Sequence, residues 1–191
     1  MSDSQDSKRS LLIRFPDKAD LFCYDLPTKP RKDIGKVLVT GATGYIGGRL
    51  VPELLERGYQ VRVMVRGLSS SSKAPGPGME IIEADALNLS SLRKALVGID
   101  TAYYLIHSLM QGPREFETAD LQAANNFRRA AEENEVKRII YLGGLGEVKT
   151  LKSPHLQSRV QVADELLRGK IPVTILRAAI IIGSGSSSYE I

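Results

Sequence analysis

From Lys36 onward the chain alternates between two hydrophobic rhythms. Short, nearly continuous apolar runs (Val37-Leu38-Val39, Ile139-Ile140-Tyr141-Leu142, Val173-Thr174-Ile175-Leu176) are separated by stretches in which apolar residues return every three or four positions. Runs of the first kind read as strands covered on both faces, as in a parallel sheet. The pattern predicts strands over residues 36–40, 60–65, 79–83, 101–105, 138–142 and 173–177. It predicts helices over 45–57, 90–97, 114–133 and 155–168. In the third helix Phe116, Ala119, Ala123, Phe127 and Ala130 fall on one face, which the sheet would bury. Gly58 and Gly169 follow the first and last helices, where glycine commonly ends a helix. Asn88 and Ser90 are candidate caps for the second. Residues 67–78 are too rich in Ser, Pro and Gly for a long helix and predict a loop in place of a helical crossover. Alternating strands and helices give right-handed βαβ units. The expected fold class is therefore α/β, a doubly wound parallel sheet of the Rossmann type.

The first strand leads into Thr40-Gly41-Ala42-Thr43-Gly44-Tyr45-Ile46-Gly47, and this turn adds chemistry to the fold. Gly41 can make the tight turn. Gly44 lets the backbone approach a pyrophosphate, and Gly47 lets the new helix pack close on the strand. The N–H groups of Thr43, Tyr45 and Ile46 would face the anion with the helix dipole behind them. A glycine-rich turn without a ligand has the same composition. The order strand, turn, helix is what favours a nucleotide.

The chain of 191 residues has room for one domain and a tail, and its net charge is +4. Lys and Arg are scattered among Asp and Glu, without the clustered charge and aromatic partners of a nucleic-acid groove. Cys23 is the single cysteine, so neither an intrachain disulfide nor a metal site built on cysteines can form. No apolar run is long enough to span a bilayer, and the opening Met1-Ser2-Asp3-Ser4 is no secretory signal. The expectation is a cytoplasmic protein. Residues 1–34 lack a clean period and hold two apolar islands, Leu11-Leu12-Ile13 and Leu21-Phe22-Cys23-Tyr24. They read as a partly disordered N-terminal arm ahead of a cofactor domain over 35–191.

With its glycine turn and strand order, the chain resembles the short-chain dehydrogenase/reductase superfamily, in its atypical NmrA-like branch, from Lys36 to the end. The turn Thr40–Gly47 is similar to the TGATGxIG turn of atypical and extended members. The resemblance implies NADP or NAD as cofactor. In that family the residues just after the second strand read the adenosine ribose, and an acid there favours NAD. Here Arg66 follows the strand, a cation able to pair with a 2′-phosphate, so NADP is expected over NAD. Arg62 lies in the same strand, its facing not given by sequence. Asp85 and Ala86 stand where the family's turn meets the adenine edge. The Asp85 carboxylate would accept from the adenine amino group, or cap the next helix. Leu105 and His107 stand where relatives lay backbone against the nicotinamide-side ribose. His107 is also a candidate base, or a satisfied polar group at a strand end.

Reductases of the superfamily commonly carry a Ser after the fifth strand and Tyr-x-x-x-Lys on the next helix, acting as acid–base groups beside a hydride donor. Here Gly143 and Gly144 stand at the serine position, and His155-Leu156-Gln157-Ser158-Arg159 at the helix motif. His155 and Arg159, the catalytic candidates, keep the four-residue spacing and share a helix face. His155 can carry a proton near neutral pH. Arg159 cannot, but can hold a ribose or a phosphate. Read blandly, the two are a surface histidine and an ion-paired arginine. Ser158 lies one residue off their face. Tyr103, Tyr104 and Tyr141 fall inside strands, so tyrosine-based carbonyl reduction is disfavoured. In relatives the stretch after the sixth strand passes the nicotinamide, and residues beyond it build the substrate lid. The ending Tyr189-Glu190-Ile191 falls in mid-pattern and points to a piece of a longer protein, without a complete substrate region. Two functions follow. One is an NAD(P)H-dependent oxidoreductase acting on a small molecule without the usual Ser/Tyr pair. The other is a non-catalytic NAD(P)-binding regulator or assembly factor with a protein partner. Oligomeric state is not legible.

Overall fold

The computed structural model describes residues 29–67, 75–107, 113–145 and 154–183, with 113–117 and 154–155 given as helical backbone. Most of the expected arm, and residues 68–74 of the expected loop, lie outside the described residues. The elements are β1 (Lys36–Val39), α1 (Tyr45–Glu56), β2 (Val61–Val65), β3 (Met79–Glu83), α2 (Leu89–Ala95), β4 (Ile99–Tyr104), α3 (Pro113–Glu133), β5 (Arg138–Gly144), α4 (Pro154–Leu167) and β6 (Val173–Ala178). Every strand and helix expected from the hydrophobic pattern is present, with ends moved by at most two positions.

The strands form one parallel sheet in the order β3-β2-β1-β4-β5-β6. The chain starts mid-sheet, winds out to β3, then crosses to β4 on the other side of β1. The carboxyl ends of β1 and β4 therefore border the crevice where the winding reverses, the usual ligand position in open α/β sheets. Register splits the strand residues between two cores. Val37, Val39, Val61, Val63 and Val65 lie beneath α1 and meet Val51 and Leu54. Leu38, Met64, Ala102, Tyr104, Ile139 and Tyr141 face α2, α3 and α4 and meet Leu92, Leu96, Phe127 and Leu166. The Tyr104 ring stands edge-on to Phe127 and Tyr141, at centroid distances of 4.9 and 5.9 Å.

Three local features refine the sequence expectations. Asn88 caps α2, its side chain accepting from the Ser91 N–H at 3.1 Å, while Ser90 lies inside the helix. Gly58 takes a left-handed conformation after α1, with φ at 81°. Gly169 does not. It is required for room, because a β-carbon there would stand 2.7 Å from Glu132 Oε1 and 2.9 Å from Arg128 Cγ. Arg62 faces the α2 side, where Nη1 donates to the carbonyls of Ala95 and Val97, each at 2.8 Å, and Nη2 pairs with Glu80 at 3.1 Å. It neutralises the carboxyl end of α2 and is directed into the fold.

Candidate functional site

The turn after β1 opens at the carboxyl edge of the sheet. Thr40 Oγ1 donates to the Tyr103 carbonyl and accepts from the Leu105 N–H, both at 3.0 Å, tying the ends of β1 and β4 together. Gly41 has φ of +64°, and a β-carbon there would lie 2.7 Å from the Leu105 carbonyl oxygen. Leu105 thus presses its backbone on the turn. Gly44 is the N-cap of α1, has no side-chain cap bond, and donates its N–H to the Gly41 carbonyl at 3.0 Å. Among the described residues, the amides of Thr43, Tyr45 and Ile46 donate to no backbone carbonyl. The first turn of α1 carries no acidic residue, so no carboxylate competes with an arriving anion. At Gly47 a β-carbon would meet Ala42 Cα at 2.6 Å, so the helix rests directly on the turn's backbone.

The Arg49 guanidinium, one turn further along α1, stacks over the Tyr45 ring, 3.8 Å from its centroid. The Tyr45 hydroxyl stands against Gly183, leaving no room for a β-carbon there. The segment after β6 therefore returns to the mouth of the glycine turn.

On the other side of β1, Arg66 is exposed immediately after β2. Asp85 is exposed after β3, and its Oδ1 accepts from the Leu87 N–H at 2.9 Å. Its backbone N–H donates to Ser91 Oγ at 3.1 Å, so the residue shapes the turn into α2. Ala86 is buried in the α3-side core, and its carbonyl accepts from Asn126 Nδ2 at 3.2 Å.

At the ends of β4 and β5 the structure gathers His107, Asp120, Tyr141, Ser158 and Arg159. Ser158 is buried and donates to Asp120 Oδ2 at 3.0 Å, so its hydroxyl is engaged between α3 and α4. Tyr141 donates to the Arg159 backbone carbonyl at 3.1 Å. Desolvation pushes the Tyr141 hydroxyl up to about 12, and Tyr104, buried completely, is raised further for the same reason. Neither is a neutral-pH proton donor. His107 is pushed down, first by desolvation; the Arg159 charge also disfavours its proton, while a backbone hydrogen bond and Asp120 favour it. A β-carbon on Gly144 would lie 3.2 Å from Leu156 Cδ2 and 3.4 Å from Arg159 Cδ. A side chain there would need Leu156 to give by a few tenths of an ångström, so α4 packs closely on this position. His155 lies in the first turn of α4, with its side chain outside the described residues.

A doubly wound sheet, a glycine turn at its switch point and amides without backbone partners at a helix start define a dinucleotide-binding domain. The chain belongs to the NAD(P)H-binding family, whose model matches residues 41–190. It is 32% identical over 120 residues to the 3-beta-hydroxysteroid dehydrogenase of Mycolicibacterium neoaurum, covering 58% of this chain and 32% of that protein. It is 30% identical over 132 residues to the photosystem II assembly factor Ycf39 of Cyanophora paradoxa, covering 69% of this chain and 41% of that one. The Citrobacter sp. triphenylmethane reductase, solved with NADP(H), superposes with a TM-score of 0.65 at 25% identity, covering 76% of this chain and 50% of that one. The Bordetella bronchiseptica enzyme WbmG, solved with NAD, shares the fold at a TM-score of 0.66 and 20% identity, covering 78% of this chain and 54% of that one. The chain therefore spans less than half the length of these two curated relatives. No helix among the described residues is long and apolar enough to cross a membrane.

Proposed function

We propose that this chain is the cofactor domain of an NAD(P)H-dependent oxidoreductase of the atypical short-chain type, preferring NADP. The observation that carries the reading is the glycine turn: backbone amides without backbone partners, at a helix start free of acidic residues, on the edge where β1 and β4 diverge. The pyrophosphate would rest on Gly41, Thr43, Gly44, Tyr45, Ile46 and Gly47. Arg66 would pair with the 2′-phosphate, and Asp85 and Ala86 would border the adenine. The nicotinamide end would run past Leu105 and His107 toward Arg159. Bound there, the cofactor supplies the hydride. The chain's part is to hold it, exclude water and manage a proton, for which His155 and His107 are the titratable candidates. A small-molecule substrate would be chosen largely by residues outside the described ones, and a cytoplasmic setting goes with this reading.

The second reading is an NAD(P)-binding assembly factor or regulator with a protein partner. It draws on the glycine at the serine position, closely packed by Leu156, the desolvated tyrosines and the likeness to the Ycf39 assembly factor. Separate titrations with NADPH and NADH, followed by a carbonyl panel assayed with the full-length protein, divide the two. Tight NADPH binding with turnover supports the oxidoreductase. Tight binding without turnover on any carbonyl supports the regulator.

A further inference from the structure

The segment that leaves β6 is met at both ends. At its start the Ala178 carbonyl accepts from the Leu145 N–H at 3.1 Å. At its far end Gly183 lies against the Tyr45 hydroxyl, so closely that a β-carbon on the glycine would collide with it. Residues 179–182 between them belong to no strand or helix, and among the described residues they make no backbone hydrogen bond. Ile180 and Ile182 are exposed while Ile181 is half-buried, the alternation of an extended chain. β6 stands three strands from β1, about 14 Å by strand spacing, with β4 and β5 between them. From Ala178 to Gly183 the chain reaches about 17 Å at full extension, so it passes directly along the carboxyl ends of β5 and β4. Tyr45 opens α1 just after β1, and the Arg49 guanidinium, 3.8 Å from the ring centroid, braces its side chain there.

We propose that Tyr45 is a positioning residue that latches this segment beside the nicotinamide half of the dinucleotide and slows its release, a role that rests on the dinucleotide reading. Which half is affected follows from the sheet order. Arg66 and Asp85, assigned to the adenosine, stand on the β2 and β3 side of β1, and the segment lies on the other side, along β4 and β5. A ligand that ends at the adenosine 5′-phosphate does not meet it. A ligand that continues past the glycine turn runs along it, and leaves fastest when the segment lifts away. The latch therefore acts on the dissociation rate of the whole dinucleotide. The same residue supplies both parts of the device: its backbone N–H is given to the pyrophosphate, and its side chain meets Gly183.

The test compares the unaltered chain with Gly183→Ala and with the double variant Gly183→Ala/Tyr45→Phe. The added methyl meets the far end of a side chain, so ring and segment part while the fold stays intact. Stopped-flow release of NADPH from Gly183→Ala should be about tenfold faster. Adenosine 2′,5′-bisphosphate, which carries only the adenosine half, should bind Gly183→Ala as it binds the unaltered chain. Tyr45→Phe removes the colliding oxygen and leaves the ring carbon Cζ 3.4 Å from the new β-carbon, an ordinary contact. The methyl then takes the place of the hydroxyl, and the double variant should regain slow release. Heteronuclear NOE values for residues 179–183, measured without cofactor, should fall in Gly183→Ala and recover in the double variant. Unchanged NADPH release from Gly183→Ala, an equal loss for both ligands, or no recovery in the double variant overturns the proposal. An unaltered chain that binds neither ligand overturns the dinucleotide reading, while the cofactor-free NOE values still decide whether Tyr45 holds the segment.

Discussion

Gly47 sits so close to Ala42 that a β-carbon on the glycine would come within 2.6 Å of the alanine Cα, with the Gly41 carbonyl closer still. No rotamer change relieves a contact with backbone. Gly47→Ala must push α1 away from the turn, misaligning the Thr43, Tyr45 and Ile46 amides. The expected result is at least a tenfold loss of NADPH affinity by calorimetry, with a stability loss of about 1–3 kcal/mol in denaturant unfolding. Gly48→Ala is the control, since its β-carbon would find its nearest neighbour, the Ala42 oxygen, at 3.7 Å. It should bind NADPH normally.

Arg66 is exposed just after β2 and carries the proposed cofactor preference. Arg66→Ala should weaken NADPH by about tenfold, the scale of one charge-assisted contact, and leave NADH unchanged. Parallel titrations with the two cofactors measure the ratio. An equal effect on both would remove Arg66 from the 2′-phosphate site.

Gly144 shows why a missing catalytic serine is not simply restored. Leu156 and Arg159 side chains pack closely on it, 3.2 and 3.4 Å from a β-carbon placed there, so Leu156 must shift by a few tenths of an ångström. Gly144→Ser should therefore cost about 1 kcal/mol of stability and produce no gain in carbonyl reduction. Thermal unfolding and NADPH oxidation in the full-length protein check both halves. A gain in turnover would show that α4 yields readily and that the serine role had merely lapsed.

Glu165 supplies a pH signature. Burial opposes its charge, yet hydrogen bonds from Asn125 and Arg128 and the charges of Arg128 and Arg168 prevail, and its folded-state pKa is lowered. A lowered carboxylate contributes stability above its unfolded pKa, and that contribution is lost as pH falls through the folded value. Glu165→Gln should cost about 3 kcal/mol or less at pH 7 and progressively less toward pH 3. Chemical denaturation of both proteins across that range should converge at the acid end.

The strands and helices were legible in sequence because burial on both sheet faces leaves a continuous apolar run, and α3 shows its buried face as Ala123, Phe127 and Ala130. The turn was legible because the roles of Gly41 and Gly47 are local: one is left-handed, the other touches its own turn. Contacts between distant residues were not. The direction of Arg62, the engagement of Ser158 by Asp120 and the meeting of Tyr45 with Gly183 each depend on how elements pack. Ser158, one residue off the His155–Arg159 face, is engaged by Asp120. Gly169 was expected for its conformation and is needed for its size.

The most direct measurement of the central claim is an amide NMR titration of the protein with NADPH. The account predicts saturable one-to-one binding in which the Thr43, Tyr45 and Ile46 resonances move furthest among the backbone amides. Saturation with those three unmoved, or no binding at all, would contradict it.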